Sequence, residues 1–301
     1  MDRRTHLHYL AALGLLPFPS SFAAMVDTIR KRPIPSTNEQ LPVVGLGTWQ
    51  TFDAGDSAGE RDPLKEVLKN LVAQGGKIVD SSPMYGRSEK VVGDLSTELK
   101  LNDKLFIATK VWTSGKENGI EQMNESFSKM QRKQIDLMQI HNLVDWQTHL
   151  KTLREWKEEK KIRYIGITHY AESAYSTIEQ ILNSNALDFL QINYSLANRK
   201  AAERLFPLAQ EKKVAVIINR PFHEGMLFKY VQGKKLPEFA KEFDCKSWAQ
   251  FFLKFILAQP AVNCAIPGTS NPEHMIDNLG AAFGKLPDEK QQQRMIKVIE
   301  E

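Results

Sequence analysis

The chain has 301 residues and a formal net charge of +4, and hydrophobic residues make up 42% of it. This is the composition of an ordinary globular protein with enough apolar side chains for a large core. The basic residues are scattered along the chain, so neither a nucleic acid nor a membrane surface is expected as a partner. With only Cys245 and Cys264, we expect neither a disulfide framework nor a zinc site.

The N-terminal segment differs from the rest of the chain. Two arginines open it, a short apolar run covers residues 9–16, and Ser21-Phe22-Ala23 follows. This order is typical of a signal peptide, and the run is shorter than the roughly 20 residues that cross a bilayer. Arg3-Arg4-Thr5-His6-Leu7 resembles a twin-arginine export signal. We therefore expect residues 1–23 to direct export to a bacterial periplasm; the alternative is a cytoplasmic protein with an unstructured start.

Short apolar strands then alternate with amphipathic helices. Residues 29–34 and 41–42 predict a small β-hairpin around Ser36-Thr37-Asn38-Glu39. The apolar runs predict eight strands, at residues 43–48, 77–80, 105–110, 135–141, 163–168, 189–193, 214–219 and 263–266. Spacings of three and four between apolar residues predict helices at residues 63–73, 89–99, 120–130, 148–160, 175–182, 200–212, 247–258 and 272–279.

Eight strand–helix units at this length favour one closed architecture. Parallel strands with right-handed crossovers are expected, and the length fits a (β/α)8 TIM barrel with an N-terminal β-hairpin. No Gly-rich or Pro-rich linker divides the chain, so residues 24–301 are predicted to form one domain of a monomeric protein. The longest irregular stretch, Pro221 to Asp244, follows the seventh strand, where a loop can cover the active site of a barrel.

Four polar side chains stand at or near the predicted carboxyl ends of neighbouring strands. Asp80 ends the second strand, Lys110 the third and His141 the fourth, while Tyr85 lies five residues past Asp80. Taken singly, each is an ordinary strand-end or turn residue. Because strand carboxyl ends converge in a barrel, their joint placement predicts a catalytic site.

These four residue types suit the reduction of a carbonyl group. The pKa of a free tyrosine is about 10, and the Lys110 ammonium is expected to lower that of Tyr85 while Asp80 keeps the ammonium charged. His141 can hydrogen-bond the substrate oxygen and fix its direction. Together the groups would counter the negative charge that develops on that oxygen, and the hydride would come from a cofactor.

Two other classes of protein fit part of this pattern. A Schiff-base aldolase could also use Lys110 at a barrel strand end, with Asp80 as proton shuttle, but it would not need Tyr85. A non-catalytic barrel could bind a nicotinamide cofactor as a sensor, and the intact set of four residues argues against that interpretation.

Seven short motifs occur in the order found in the aldo/keto reductase family, which the chain resembles over residues 29–279. The motifs are Gly45 to Trp49, Asp80 to Glu89, Thr109-Lys110, Ile140-His141-Asn142, Gly166 to His169, Gln191 to Tyr194 and Ile266-Pro267-Gly268-Thr269. The resemblance implies that Tyr85 is the proton donor, that Asp80 and Lys110 are its partners, and that His141 orients the substrate carbonyl.

The resemblance also implies an NADPH or NADH cofactor and a small carbonyl substrate. Implied cofactor contacts are Gly47, Thr48, Thr168, His169, Gln191, Asn219, Arg220, Gly268, Thr269, His274, Asp277 and Asn278. Implied walls of the substrate pocket are Trp49, Trp112, Asn142 and Phe222. The chain departs from the family at His169, where asparagine is usual, and at Asn219-Arg220, where many members stack an aromatic side chain on the nicotinamide.

The preference between the two cofactors depends on the last motif. Family members that prefer NADPH usually hold its 2′-phosphate with a lysine just after the Ile-Pro pair and an arginine six residues later. Gly268 and His274 occupy those positions. A guanidinium binds phosphate through two parallel hydrogen bonds and stays charged, whereas an imidazole does neither. We therefore expect weak discrimination between NADPH and NADH.

Overall fold

The computed structural model describes residues 28–184 and 186–300. The predicted signal peptide, residues 1–23, lies outside this range. None of the helices in the described range combines the length and hydropathy needed to span a membrane.

A two-stranded antiparallel hairpin precedes the barrel, as predicted. Strand β1 (Lys31–Pro33) pairs with β2 (Gln40–Pro42). Ile34 and Leu41, at the turn end of this hairpin, are buried in the same apolar cluster as side chains from the barrel strands, among them Phe106. The hairpin therefore closes the end of the barrel at which the strands begin, and leaves their carboxyl ends open for a site.

Eight parallel strands form the barrel, in the order of the sequence. They are β3 (Leu46–Gly47), β4 (Ile78–Asp80), β5 (Phe106–Val111), β6 (Ile135–His141), β7 (Ile162–Thr168), β8 (Phe189–Asn193), β9 (Ala215–Asn219) and β10 (Val262–Ala265). Parallel bridges from Val44 to Ala265 and from Gly47 to Gly268 join the first strand to the last. A Cβ at Gly47 would lie 2.8 Å from the Ile266 carbonyl oxygen, so this close approach requires glycine. The predicted eight-stranded barrel is confirmed.

Helices surround the sheet and pack their apolar faces on it. They are α1 (Ala58–Ala73), α2 (Ser88–Glu98), α3 (Lys116–Lys129), α4 (Trp146–Glu158), α5 (Tyr175–Ser184), α6 (Ala201–Glu211), α7 (Met226–Tyr230), α8 (Trp248–Leu257), α9 (Pro272–Gly280) and α10 (Glu289–Glu300). All eight predicted helices are present, with ends that differ by a few residues. The short α7 and a 3-10 turn over Glu238–Phe243 lie in the stretch predicted as irregular, and α10 was not predicted.

Candidate active site

A buried ion pair stands at the carboxyl ends of β4 and β5. Lys110 Nζ donates to Asp80 Oδ2 over 2.7 Å and to the carbonyl oxygen of Ser81 over 2.6 Å. Lys110 is fully buried and Asp80 is 2% exposed. Burial acts to lower the pKa of Lys110, but the charge and hydrogen bond of Asp80 outweigh it and raise that pKa above its ordinary value. The lysine is therefore an ammonium ion at neutral pH.

Two glutamine amides hold the other oxygen of Asp80. Gln139 Nε2 donates to Asp80 Oδ1 over 3.0 Å, and Gln191 Nε2 donates to the same atom over 2.8 Å. These bonds fix the carboxylate so that its second oxygen faces Lys110. Gln139 is a site residue that the motifs did not single out, although a glutamine inside the apolar strand β6 was a signal for it.

The Tyr85 ring lies against this ion pair. Lys110 Nζ is 4.7 Å from the ring centroid. The loop that carries Tyr85 is anchored by the buried Glu89, whose carboxylate accepts a hydrogen bond from Thr109, the neighbour of Lys110 on β5. The loop therefore holds the phenol and the ammonium at a fixed separation.

The pKa of Tyr85 is raised, which corrects the prediction from sequence. The nearby Lys110 does act to lower it, as expected, but burial of the phenol acts the other way and is the larger effect. Tyr85 is therefore a neutral phenol at neutral pH. This is the protonation state that a proton donor needs before the reaction.

His141 is a neutral imidazole beside Tyr85. The two rings meet edge to face with centroids 5.8 Å apart. His141 is 6% exposed, and burial, assisted by the charge of Lys110, lowers its pKa to about 3. Ser82 Oγ lies 3.0 Å from His141 Nδ1 and accepts the Met84 N–H over 3.2 Å. When the Ser82 hydroxyl donates to Nδ1, the imidazole proton is on Nε2.

A second group of polar side chains lies at the ends of β7, β8 and β9. Thr168 Oγ1 donates to Gln191 Oε1 over 2.9 Å, and Asn219 Nδ2 donates to the His169 carbonyl oxygen over 3.1 Å. His169 Nδ1 accepts the N–H groups of Tyr170 and Ala171 at 2.9 and 3.0 Å. Burial and the charge of Arg220 lower the pKa of His169. Its imidazole is therefore neutral, with its proton on Nε2.

A cavity of about 770 Å³ opens above these groups. Fourteen of the predicted site residues line it: Gly47, Thr48, Trp49, Asp80, Tyr85, His141, Asn142, Thr168, His169, Gln191, Asn219, Arg220, Phe222 and Gly268. Met84, Tyr170, Glu224 and Phe228 also line it, and none of them was among the predicted site residues. Phe222, Glu224 and Phe228 come from the long stretch after β9. That stretch thus forms one wall of the cavity, as its position after the seventh strand suggested.

The remaining predicted residues do not line this cavity. Lys110 lies behind Tyr85, and the Trp112 ring is 6.3 Å from that of His141. Thr269 lies just before α9 and His274 is exposed in its first turns. Asn278 is buried, and Asp277 accepts a hydrogen bond from Gln250 over 2.7 Å.

The comparisons with known proteins agree with this arrangement. Residues 43–299 match the model of the aldo/keto reductase family. The chain belongs to this family. It is therefore an oxidoreductase. It is 26% identical over 226 residues to the aldo-keto reductase YhdN of Bacillus subtilis, which covers 70% of this chain and 66% of that protein.

Two further relatives carry a cofactor in their names. The chain is 26% identical over 232 residues to the NADH-specific methylglyoxal reductase of Escherichia coli, which covers 66% of this chain and 69% of that protein. The crystal structure of an aldo/keto reductase of Klebsiella pneumoniae in complex with NADP and acetate superposes with a TM-score of 0.73 at 23% identity, over 86% of this chain and 92% of that one. At that identity, the structural likeness supports the shared fold.

Proposed function

We propose that this aldo/keto reductase reduces aldehyde or ketone carbonyls to alcohols with NADPH or NADH, and that Tyr85 donates the proton. The observation that carries the proposal is the neutral Tyr85 phenol beside the buried Lys110–Asp80 pair, facing the same cavity as neutral His141. A proton donor, a positive charge and a hydrogen-bond donor thus converge where a substrate oxygen can sit.

The four residues have distinct tasks in this mechanism. His141 donates from Nε2 to the substrate oxygen and orients the carbonyl, with Ser82 fixing its tautomer. As negative charge grows on that oxygen, Tyr85 transfers its phenolic proton to it, which leaves an alcohol and a phenolate. The Lys110 ammonium stabilises the phenolate, and Asp80 keeps the ammonium charged and in place. Reduced nicotinamide, when bound, supplies the hydride to the carbonyl carbon.

The polar groups at the ends of β7 to β9 fit the carboxamide of a nicotinamide. A carboxamide carries two N–H donors and one carbonyl acceptor. His169 offers an N–H at Nε2, while Gln191 Oε1 and Asn219 Oδ1 are acceptors, and Asn219 Oδ1 is buried with no partner among the described residues. These three side chains would hold the carboxamide. The backbone N–H groups at the start of α9 would hold phosphate.

The aldolase alternative does not fit the structure. A Schiff-base lysine must present a neutral amine to its substrate. Lys110 is fully buried, hydrogen-bonded to Asp80 and Ser81, and has a raised pKa. It therefore lacks both the access and the protonation state for that chemistry.

A panel of carbonyl substrates tests the proposed function. Simple aldehydes, ketones and quinones are incubated with NADPH or NADH, and the loss of reduced-cofactor absorbance is followed. Turnover of some carbonyls is expected, together with no adduct at Lys110 after borohydride treatment. If no carbonyl is reduced with either cofactor, or if borohydride traps a substrate on Lys110, the proposal is wrong.

We also propose that residues 1–23 are an export signal that places the mature chain, from about Ala24 onwards, in a bacterial periplasm. The support is the order in the sequence: Arg3-Arg4 come first, a short apolar run follows, and small residues come after it. Cell fractionation of the native chain and of an Arg3→Lys/Arg4→Lys variant tests it. Export of the native chain alone, with shortening, is expected. Retention of both chains in the cytoplasm at full length would contradict the proposal.

A further inference from the structure

A guanidinium group lies at the mouth of the active-site cavity. Among the described side chains that line the cavity, Arg220, directly after β9, is the one Lys or Arg side chain. Its guanidinium carbon is 3.8 Å from the ring centroid of Tyr170 and 5.9 Å from that of Trp49. These rings belong to the loops after β7 and β3, so the guanidinium reaches across the mouth between two other strand ends.

The backbone turns sharply to place Arg220 there. Its φ is 48°, and His223, Glu224 and Gly225 also have positive φ values, of 50°, 54° and 84°. Three of these four residues are not glycine, although the left-handed region disfavours side chains. A cluster of such residues beside a reacting site points to a functional constraint on the loop.

The packing leaves the edge of the guanidinium available. Tyr170 covers a face of the group, and faces carry no N–H donors. One edge nitrogen, Nη1, lies 2.8 Å from Glu224 Oε1, and the two side chains are 31% and 48% exposed. Exposed ion pairs of this kind contribute little free energy, so a bound anion can replace Glu224 at modest cost.

The group is also close to the reacting atoms. Arg220 and Tyr85 line the same cavity, and the charge of Arg220 is one of the influences that oppose the rise in the pKa of Tyr85. The backbone N–H groups at the start of α9 are a separate place for cofactor phosphate.

We infer that Arg220 binds an anionic group, a carboxylate or a phosphate, carried by the carbonyl substrate. The inference rests on the proposed carbonyl reduction and adds a substrate class to it. The anion accepts two parallel N–H bonds from the guanidinium edge, while the carbonyl lies between Tyr85 and His141. Glu224 holds the guanidinium in place until the substrate arrives.

Two aldehydes of the same shape test the inference. 4-Carboxybenzaldehyde carries a carboxylate, and 4-carbamoylbenzaldehyde carries a neutral amide in its place. We expect kcat/KM of the parent protein to favour the carboxylate by about tenfold or more, as a charge-assisted contact predicts. In Arg220→Met the ratio should fall to about one, and in Arg220→Lys to an intermediate value, because lysine keeps the charge but loses the planar fork.

Glu224→Gln is the matched control, since it removes the competing carboxylate. Its preference for the carboxylate aldehyde over the amide aldehyde, measured as the ratio of kcat/KM values, should exceed that of the parent. Binding of benzoate and benzamide to the protein saturated with oxidised cofactor, followed by tryptophan fluorescence, gives the same comparison without turnover. The cofactor dissociation constant of each variant is measured in parallel.

The outcomes separate this inference from the proposed function. If the parent reduces both aldehydes equally well, Arg220 does not select an anion, although the protein is still a carbonyl reductase. If Arg220→Met weakens cofactor binding and leaves the ratio unchanged, Arg220 serves the cofactor phosphates and the inference is wrong. If neither aldehyde nor any other carbonyl is reduced, the proposed function itself fails.

Discussion

Lys110 Nζ, which is fully buried, lies 4.7 Å from the centroid of the Tyr85 ring, and that ring lines the active-site cavity. Burial raises the pKa of the phenol and the ammonium acts to lower it, so the two effects oppose each other. The phenol thus keeps its proton at neutral pH, while the charge beside it stabilises the phenolate that proton transfer leaves behind.

Replacing Tyr85 with phenylalanine should nearly abolish reduction. The change removes the proposed proton donor and keeps the ring, so the fold and the cofactor site should be preserved. General acid catalysis contributes about 10²–10⁴-fold in rate, and kcat should fall by a factor in that range. Stopped-flow measurement of the chemical step and of cofactor affinity checks this. A variant with an undiminished chemical step would show that Tyr85 is not the donor.

Replacing Lys110 with methionine should alter both the pH profile and the stability. Without the ammonium, the pKa of Tyr85 rises further. The alkaline decline in the reduction rate, which follows loss of the phenolic proton, should therefore move to higher pH at a much lower maximum rate. The buried Asp80 also loses its partner, at a cost of about 3–5 kcal/mol in the free energy of unfolding.

The double variant Lys110→Met/Asp80→Asn is the control for that stability loss. It leaves no unpaired buried charge, and Gln139 and Gln191 can still donate to the amide oxygen. Urea unfolding should show recovery of much of the lost stability, while activity stays low. An unchanged pH profile in Lys110→Met would count against the coupling between Lys110 and Tyr85.

The barrel could be predicted because its units repeat a strong local pattern. Each strand is a short apolar run such as Phe189–Asn193, and each predicted helix carries a continuous apolar face, as α1 does through Leu64, Val67, Leu68 and Leu71. Helix α10 has apolar side chains only in its second half, where Met295 is buried and Ile296 and Ile299 pack against the core, and it was missed. Its position depends on packing against the finished barrel.

The candidate site was predictable only where strand ends fix it. Asp80, Lys110 and His141 could be placed because parallel strands bring their carboxyl ends together. Gln139 and Tyr170 were missed, since their roles depend on which way a side chain points and on contacts between distant loops. The net direction of the Tyr85 pKa could not be foreseen either, because the degree of burial is a property of the packed structure.

The neutrality of His141 predicts a loss of stability in acid. The folded-state pKa is about 3, against 6.5 for an ordinary histidine. Below about pH 6.5 His141 is protonated in the unfolded chain but stays neutral in the folded chain, so the free energy of unfolding falls as pH falls towards 3. The slope from this residue is at most about 1.4 kcal/mol per pH unit. The lowered pKa of His169 acts in the same direction.

Urea unfolding of the parent protein and of His141→Asn at about pH 5 and pH 7.5 isolates that contribution. Asparagine does not titrate, so the stability difference between the two proteins should be smaller at pH 5 than at pH 7.5. A difference that stays constant with pH would mean that His141 takes up a proton as readily in the folded protein as in the unfolded chain, so that folding does not lower its pKa.

The choice between NADPH and NADH should depend on His274. This side chain is exposed in the first turns of α9, where Asn271 Oδ1 already accepts the Glu273 N–H over 2.8 Å and Thr269 Oγ1 accepts the Asn271 N–H over 3.0 Å. The remaining backbone N–H groups can bind a 2′-phosphate without a cation, but an arginine there would add a charged, bidentate contact. We expect the parent protein to prefer NADPH only modestly.

His274→Arg should then raise the preference for NADPH by about tenfold or more, because a guanidinium adds a charged, bidentate contact. His274→Gln, which adds no cation, is the matched control and should leave the preference modest. The ratio of kcat/KM for the two cofactors in the parent and in each variant decides between these outcomes. A parent preference above about 10³-fold, roughly 4 kcal/mol, would mean that another cation holds the 2′-phosphate.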